Sequence, residues 1–217
     1  MHKGLFISVE GHDGSGKTTQ INVLQSYLAE ALNTLGLKSG VVTTRDPGGT
    51  EFSEEIRKIL LNSDMCSWSE LLLFAAARKQ LETEVILPRI ETGHIVISDR
   101  WFDSTYAYQA YGRELMSEVE EIMHVVKPIV PDFTFFLSLP LIDSMDRITL
   151  RNETADRFDH ADLEFKTKVH NGFIEHMSKQ DQRVLHIDAT QSIEEVSVQI
   201  KQHVDEQIIP ALKKRMQ

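Results

Sequence analysis

Positive charge is scarce in this chain: 23 Lys and Arg stand against 33 Asp and Glu among 217 residues, a formal net charge of −10. Such a field repels polynucleotides and anionic membranes, so neither is an expected partner, and any small anionic ligand must be met by locally clustered cations. Cysteine is rarer still. Cys66 stands alone, which excludes an intrachain disulfide, leaves no Cys-x-x-Cys or Cys/His metal spacing and fits a reducing compartment. Long apolar runs are also missing. The longest, residues 71–77, is far too short for a bilayer, and the apolar stretch before Glu10 is too short for a secretory signal. A soluble cytoplasmic protein is the expectation. No repeat, low-complexity segment or Pro/Gly-rich linker divides the chain, so residues 1–217 are expected to form a single domain.

What is present is an ordinary globular composition, 41% hydrophobic and 26% charged, arranged in alternating patterns. Apolar, β-branched runs at 5–9, 41–44, 95–98, 133–139 and 184–187 read as strands. Helix-spaced apolar residues fill 19–35, 53–61, 67–91, 117–126, 141–151 and 192–214. Strands alternating with helices predict an α/β fold: a parallel five-stranded sheet covered by helices on both faces, with ligands beyond the carboxyl ends of the strands.

Directly after the first run, Gly11-His12-Asp13-Gly14-Ser15-Gly16-Lys17-Thr18 matches G-x-x-x-x-G-K-[ST]. Glycines let successive backbone N–H groups turn inward around an anion, and the helix that follows adds its positive end. Lys17 is predicted to bridge the β- and γ-phosphates of a nucleoside triphosphate, with Thr18 as a Mg²⁺ ligand and Thr19 following. A phosphate loop alone leaves kinases, GTPases, motors and switches open. No Asn/Thr-Lys-x-Asp guanine signature is present. Asp99, at a later strand end, suits Mg²⁺ binding, and the adjacent Arg100 suits an acceptor phosphate. In Thr43-Thr44-Arg45-Asp46-Pro47-Gly48-Gly49-Thr50, the turn leaves Arg45 at the second strand's carboxyl end, where with Arg100 it is expected to clamp a monophosphate.

This phosphate loop together with TRDPGGT, LLFAAARKQ, SDRW-x-x-ST-x-AYQ and a late DRFD resembles the thymidylate kinase family of nucleoside monophosphate kinases. The resemblance implies a P-loop NTPase fold, transfer of a phosphoryl group from ATP to dTMP with Mg²⁺, and a homodimer. A 5-modified dUMP or a broader set of deoxynucleoside monophosphates is the alternative acceptor, and an ATP-hydrolysing switch is the rival from another class. It further implies that Asp13 faces the sugar and acceptor phosphate, that Phe74 stacks on the base, and that Arg78, one turn later, bonds a base carbonyl. By pattern alone Phe74 reads as core. Ser104, Thr105, Tyr108 and Gln109 match the block that reads base and sugar; a Gln amide can pair with the imide edge of thymine. Residues 147–159 resemble a lid, and Arg151 and Arg157 are the expected catalytic cations, since the loop itself carries no Arg. Arg147 is either an adenine-side contact or a solvated helix residue. Ala189 and Thr190 match a loop that lies along adenine. Trp101 stands where the family usually has Tyr or His, and its larger ring is expected to alter the acceptor wall.

Overall fold

Five parallel strands lie in the order β2-β3-β1-β4-β5 in the computed structural model, which describes residues 4–37, 39–150, 156–180 and 182–215. All six residues of β1 (Leu5–Glu10) are buried, because this central strand is paired on both sides, with β3 through Leu5↔Ile95 and with β4 through Ile7↔Phe133. That is why it reads as a mainly apolar run, with Ser8 tolerated inside because its hydroxyl pairs with that of Thr134 at 2.7 Å. The chain continues as α1 (Lys17–Thr34), edge strand β2 (Val41–Arg45), α2 (Glu51–Asn62) and α3 (Ser67–Leu81). A π-helical turn over Glu82–Ile86 joins α3 to α4 (Leu87–Glu91). There follow β3 (Ile95–Asp99), α5 (Phe102–Thr105) with a π-helical extension over Tyr106–Gly112, α6 (Met116–Val126), β4 (Phe133–Ser138), α7 (Leu141–Thr149), α8 (Leu163–Ser178) and β5 (Val184–Asp188). Finally α9 (Ile193–His203) runs through a π-helical turn, Val204–Ile208, into α10 (Ile209–Arg215). Among the described residues no helix is long and apolar enough to cross a membrane.

Alternation along β1 divides the core. Leu5, Ile7 and Val9 face a layer built with Leu24, Leu28, Val196 and Ile200 of α1 and α9, whereas Phe6 faces Leu81, Ile86, Ile90, Val96 and Trp101. All five predicted strands are present. Of the helices, α8 was not among the predicted runs, although Asp162 caps it by accepting from Phe165 N at 2.7 Å and Phe165, Val169, Phe173 and Met177 form its buried stripe. Gly112 and Gly172 let α8 approach the π-helical extension: a Cβ on Gly112 would lie 2.7 Å from Phe165 and one on Gly172 2.7 Å from Tyr111. The loops after β1 and β3, neighbouring strands whose connections leave in opposite directions, open together at the carboxyl edge. This is the switch point where such sheets bind ligands.

Candidate active site

The loop after β1 owes its shape to Gly11, Gly14 and Gly16, with φ of +143°, +82° and +91°, a region that L side chains seldom enter. Lys17, the first residue of α1, is buried and curls back, donating to the carbonyls of Gly11 (3.1 Å) and His12 (2.9 Å). Burial draws its pKa down, and Arg100 adds repulsion. Ser144 of α7 braces the loop by donating to Asp13 O at 2.7 Å. His12 turns inward, stacked on His170 at 5.1 Å between centroids, and burial pulls its pKa down to about 3, so the imidazole is neutral at pH 7.

Asp13 is the junction of the site. Arg100 Nη2 donates to its Oδ1 at 2.7 Å, Tyr108 OH to its Oδ2 at 3.1 Å, and Lys17 Nζ lies 3.7 Å away. Burial acts to raise the Asp13 carboxyl, but Arg100 and Lys17 outweigh it and hold the group well below the usual carboxylate range. Burial pushes the Tyr108 phenol far up, so it stays a donor. Arg100 is held in the left-handed region, φ 69°, by three bonds. Its N–H donates to Val9 O (3.0 Å), Ser98 Oγ donates to its carbonyl (2.7 Å), and Trp101 N donates to Glu10 Oε1 (2.7 Å). Ser104 Oγ accepts from Arg100 Nη1 at 3.0 Å and donates to Glu10 Oε2 at 2.6 Å. Glu10 is fully buried, and burial with the nearby Asp103 raises its carboxyl above the ordinary range.

Beside this junction lies a cavity of about 540 Å³ whose wall includes Asp13, Arg57, Phe74, Arg78, Arg100, Ser104, Thr105, Tyr108 and Gln109. Arg78 and Asp46 form a buried pair, Nε to Oδ2 at 2.6 Å, with side chains 2% and 1% exposed. Arg78 Nη1, Asp46 Oδ1 and Thr105 Oγ1 are buried without a hydrogen-bond partner among the described residues. Polar atoms left so on a cavity wall are complementary to a ligand that carries donors and acceptors of its own.

On the other side of the loop a groove of about 830 Å³ is walled by Gly14, Ser15, Gly16, Thr19, Gln20, Arg147, Ala189 and Gln191. Arg147 Nη2 donates to Ala189 O at 3.0 Å, which brings two predicted residues together and settles Arg147 as a groove residue. Thr190 is turned instead to Asp188, its N–H and hydroxyl both on Oδ1. Thr18 is exposed at the start of α1, and Asp99 Oδ1, at the end of β3, is buried without a partner among the described residues.

Several expected residues stand elsewhere. Arg45 does not join Arg100; its guanidinium is 53% exposed and forked onto Glu54 at 3.1 and 2.7 Å, because Glu54 is anchored by Gly49 N. Arg57 of α2 lines the cavity and donates to Pro47 O at 2.9 Å. Arg157 bonds Leu60 O and lies 2.7 Å from Glu70 Oε2, with no recorded bond to the phosphate loop. Arg151 lies outside the described residues. Trp101 is not in the acceptor wall: its extended backbone (φ −156°) follows the left-handed turn at Arg100 and sends the ring into the core against Phe6, with Nε1 on Ile129 O at 2.8 Å. There it lies 5.6 Å behind the Arg78 guanidinium. Sequence reasoning missed Glu10, Arg57 and Glu70. Arg57 carried a signal, since it lies on the helix that follows the Arg45 turn; the two carboxylates carried none.

A family model described as thymidylate kinase matches residues 9–200. The chain is similar to the thymidylate kinase of Fervidobacterium nodosum, 38% identical over 200 residues that cover 90% of this chain and 96% of that one. It is 39% identical to that of Psychrobacter sp. over 215 residues, 96% of this chain and 100% of the relative. Among solved structures it resembles thymidylate kinase from Ehrlichia chaffeensis, with a TM-score of 0.74 and 33% identity over 93% of this chain and 98% of that one.

Proposed function

The chain belongs to the thymidylate kinase family, and from that premise we propose that it transfers the terminal phosphoryl group of ATP to dTMP, giving dTDP and ADP, with Mg²⁺ as cofactor. The observation that carries this reading is the pair of compartments flanking one phosphate loop, a walled cavity that Asp13 lines and an open groove that Gly14, Ser15 and Gly16 line. A hydrolytic switch has no use for a cavity lined by Phe74, Arg78, Thr105 and Gln109.

In this reading the groove takes ATP, with its phosphates in the loop 11–16, its terminal phosphates on Lys17, and its base side along Arg147 and Ala189. The cavity takes the acceptor. Phe74 offers the base a flat apolar face, the free Arg78 Nη1 meets a carbonyl oxygen, and Arg57 and Arg100 meet the 5′-phosphate. Phosphoryl transfer demands little covalent chemistry from the protein, so placing positive charge where negative charge spreads is the main task. In the free protein Asp13 balances Arg100, which lines the cavity, and Lys17, at the start of α1. Phosphates arriving on both sides take over those cations and draw donor and acceptor to the same point. Residues 147–159 serve as the lid of this single domain, and Arg151 remains the candidate for the cation it delivers.

The oxygen donors of Thr18 and Asp99 suit a hard cation, and the orphaned Asp99 Oδ1 is an atom such an ion would satisfy, directly or through water. When bound, Mg²⁺ supplies charge neutralisation at the bridging phosphates. We further propose a cytoplasmic homodimer. The packed pair α2 and α3 exposes Phe52, Ile59, Trp68 and Leu72, each between 45% and 51% accessible, which supports a twofold interface there.

The experiment is ³¹P NMR of ATP, Mg²⁺ and dTMP with the purified protein. Equal growth of ADP and dTDP signals is expected; ADP and inorganic phosphate without dTDP would select the switch reading.

A further inference from the structure

Gln109 has a choice that its neighbours on the cavity wall lack: its amide can turn either a carbonyl oxygen or an NH₂ toward a ligand. Glu70 decides it. This α3 residue is 1% exposed, one helical turn before Phe74, and its Oε1 accepts from Gln109 Nε2 at 2.8 Å. Two guanidinium groups hold the same carboxylate from its other sides. Arg113 donates at 3.3 and 3.1 Å, and Arg157 Nη1 lies 2.7 Å from Oε2. A carboxylate paired in this way only accepts, so the Gln109 amide cannot reverse without setting oxygen against oxygen. Gln109 Oε1, in a side chain that lines the cavity, accepts no hydrogen bond among the described residues. Thr105 Oγ1, on the same wall, can donate or accept and does not discriminate alone.

Resting on the functional reading above, we propose that Glu70 is a positioning residue that sets base specificity: by holding the Gln109 NH₂ it leaves an acceptor facing the base. An acceptor there suits an imide N3–H, as in thymine or uracil. It rejects cytosine, whose N3 is itself an acceptor, and a buried mismatch of that kind discriminates far more strongly than a lost methyl group.

The test is steady-state kinetics of the wild type, Glu70→Gln, Gln109→Leu and the double variant with dTMP and dCMP. A neutral amide at position 70 lets Gln109 turn either way. The ratio of kcat/KM for dTMP to that for dCMP is expected to fall at least about tenfold in Glu70→Gln, mainly through KM. General structural damage would instead lower both acceptors together. A ratio within about twofold of wild type overturns the proposal. In the Gln109→Leu background, adding Glu70→Gln is expected to leave the ratio unchanged, and a further fall contradicts an action through Gln109. Should Glu70→Gln fail to fold, ¹⁵N NMR of the wild type reads the same point. The Gln109 side-chain NH₂, assigned by its loss in Gln109→Leu, is expected to resist solvent exchange with and without dTMP. Protection that arises only when dTMP binds would overturn it. Failure of the wild type to make dTDP would strike the functional reading instead, since the NMR measurement on the free protein stands apart from activity.

Discussion

On one side of the phosphate loop, the side proposed for the donor, the groove is walled by the loop's own Gly14, Ser15 and Gly16 and by residues such as Arg147 and Ala189. On the other side, the one proposed for the acceptor, the cavity wall includes long and aromatic side chains, and a carboxyl group stands behind or beside several wall residues: Asp46 behind Arg78, Glu10 behind Ser104, Glu70 behind Gln109 and Asp13 beside Arg100 and Tyr108. The groove is shaped by where the chain can turn. The cavity is shaped by ion pairs and charge-assisted bonds whose partners come from distant parts of the chain, Trp101 and Ser104 to Glu10 for example. In the functional reading above, the phosphates are the same in every triphosphate, so a loop of backbone amides with Lys17 has nothing to discriminate; one base must be told from another, and that requires oriented side chains.

Removing a shared cation breaks this contrast most severely. Lys17→Ala and Arg100→Ala are each expected to lower kcat/KM by about 10²-fold or more, on the order of 3 kcal/mol. Lys17→Ala should do so alike for every acceptor, and Arg100→Ala should also raise the dTMP KM; initial-rate assays with varied ATP and dTMP check both. Comparable in size is the loss of the brace behind the base pocket. Arg78→Ala leaves Asp46 as an unpaired buried carboxylate and is expected to destabilise the fold by about 3 kcal/mol in urea unfolding. Asp46→Asn in that background should recover part of the loss.

The phosphate loop has its own buried liability in His12, whose pKa is pulled down to about 3 from 6.5, first by burial and then by His170. Its neutral ring favours the folded state fully above pH 6.5, and that contribution is lost as pH falls toward 3, because the unfolded chain binds the proton first. Between pH 6.5 and 5 this amounts to about 2 kcal/mol, and His12→Asn should flatten that part of the stability profile in thermal melts at stepped pH. Smaller again is the exchange of roles between two arginines. Arg57→Ala is expected to raise the dTMP KM about tenfold, as for loss of one charged contact, and Arg45→Ala by less than about threefold, since Arg45 is engaged with Glu54 at the surface.

Much of this architecture was legible in advance. The central strands could be read because β1 and its neighbours β3 and β4 are buried on both faces and are mainly apolar, broken only by small hydroxyl residues before their polar ends. Helix α8 escaped because Lys166, Thr167, Lys168, His170 and Asn171 fill the positions between its buried residues and dilute the periodic stripe. That Lys17, Asp13 and Arg100 come together was legible because their placement depends on local chain geometry, a glycine-shaped loop and a strand end. The resting positions of Arg45 and Trp101 were not legible for one reason: they depend on tertiary partners, Glu54 for the first and Phe6 with Ile129 for the second. Glu10 and Glu70 were invisible for the same reason. A carboxylate at the end of a strand or early in a helix is commonplace, and only folding shows the hydroxyl and backbone N–H donors that meet Glu10 and the guanidinium and amide donors that meet Glu70.

The most direct test of an acceptor side that reads the base and a donor side that does not is the initial rate of ADP formation from ATP and Mg²⁺ with dTMP, dCMP, dAMP or no acceptor. A rate with dTMP at least about 10²-fold above the other three is the expected result. Equal rates in all four would contradict it.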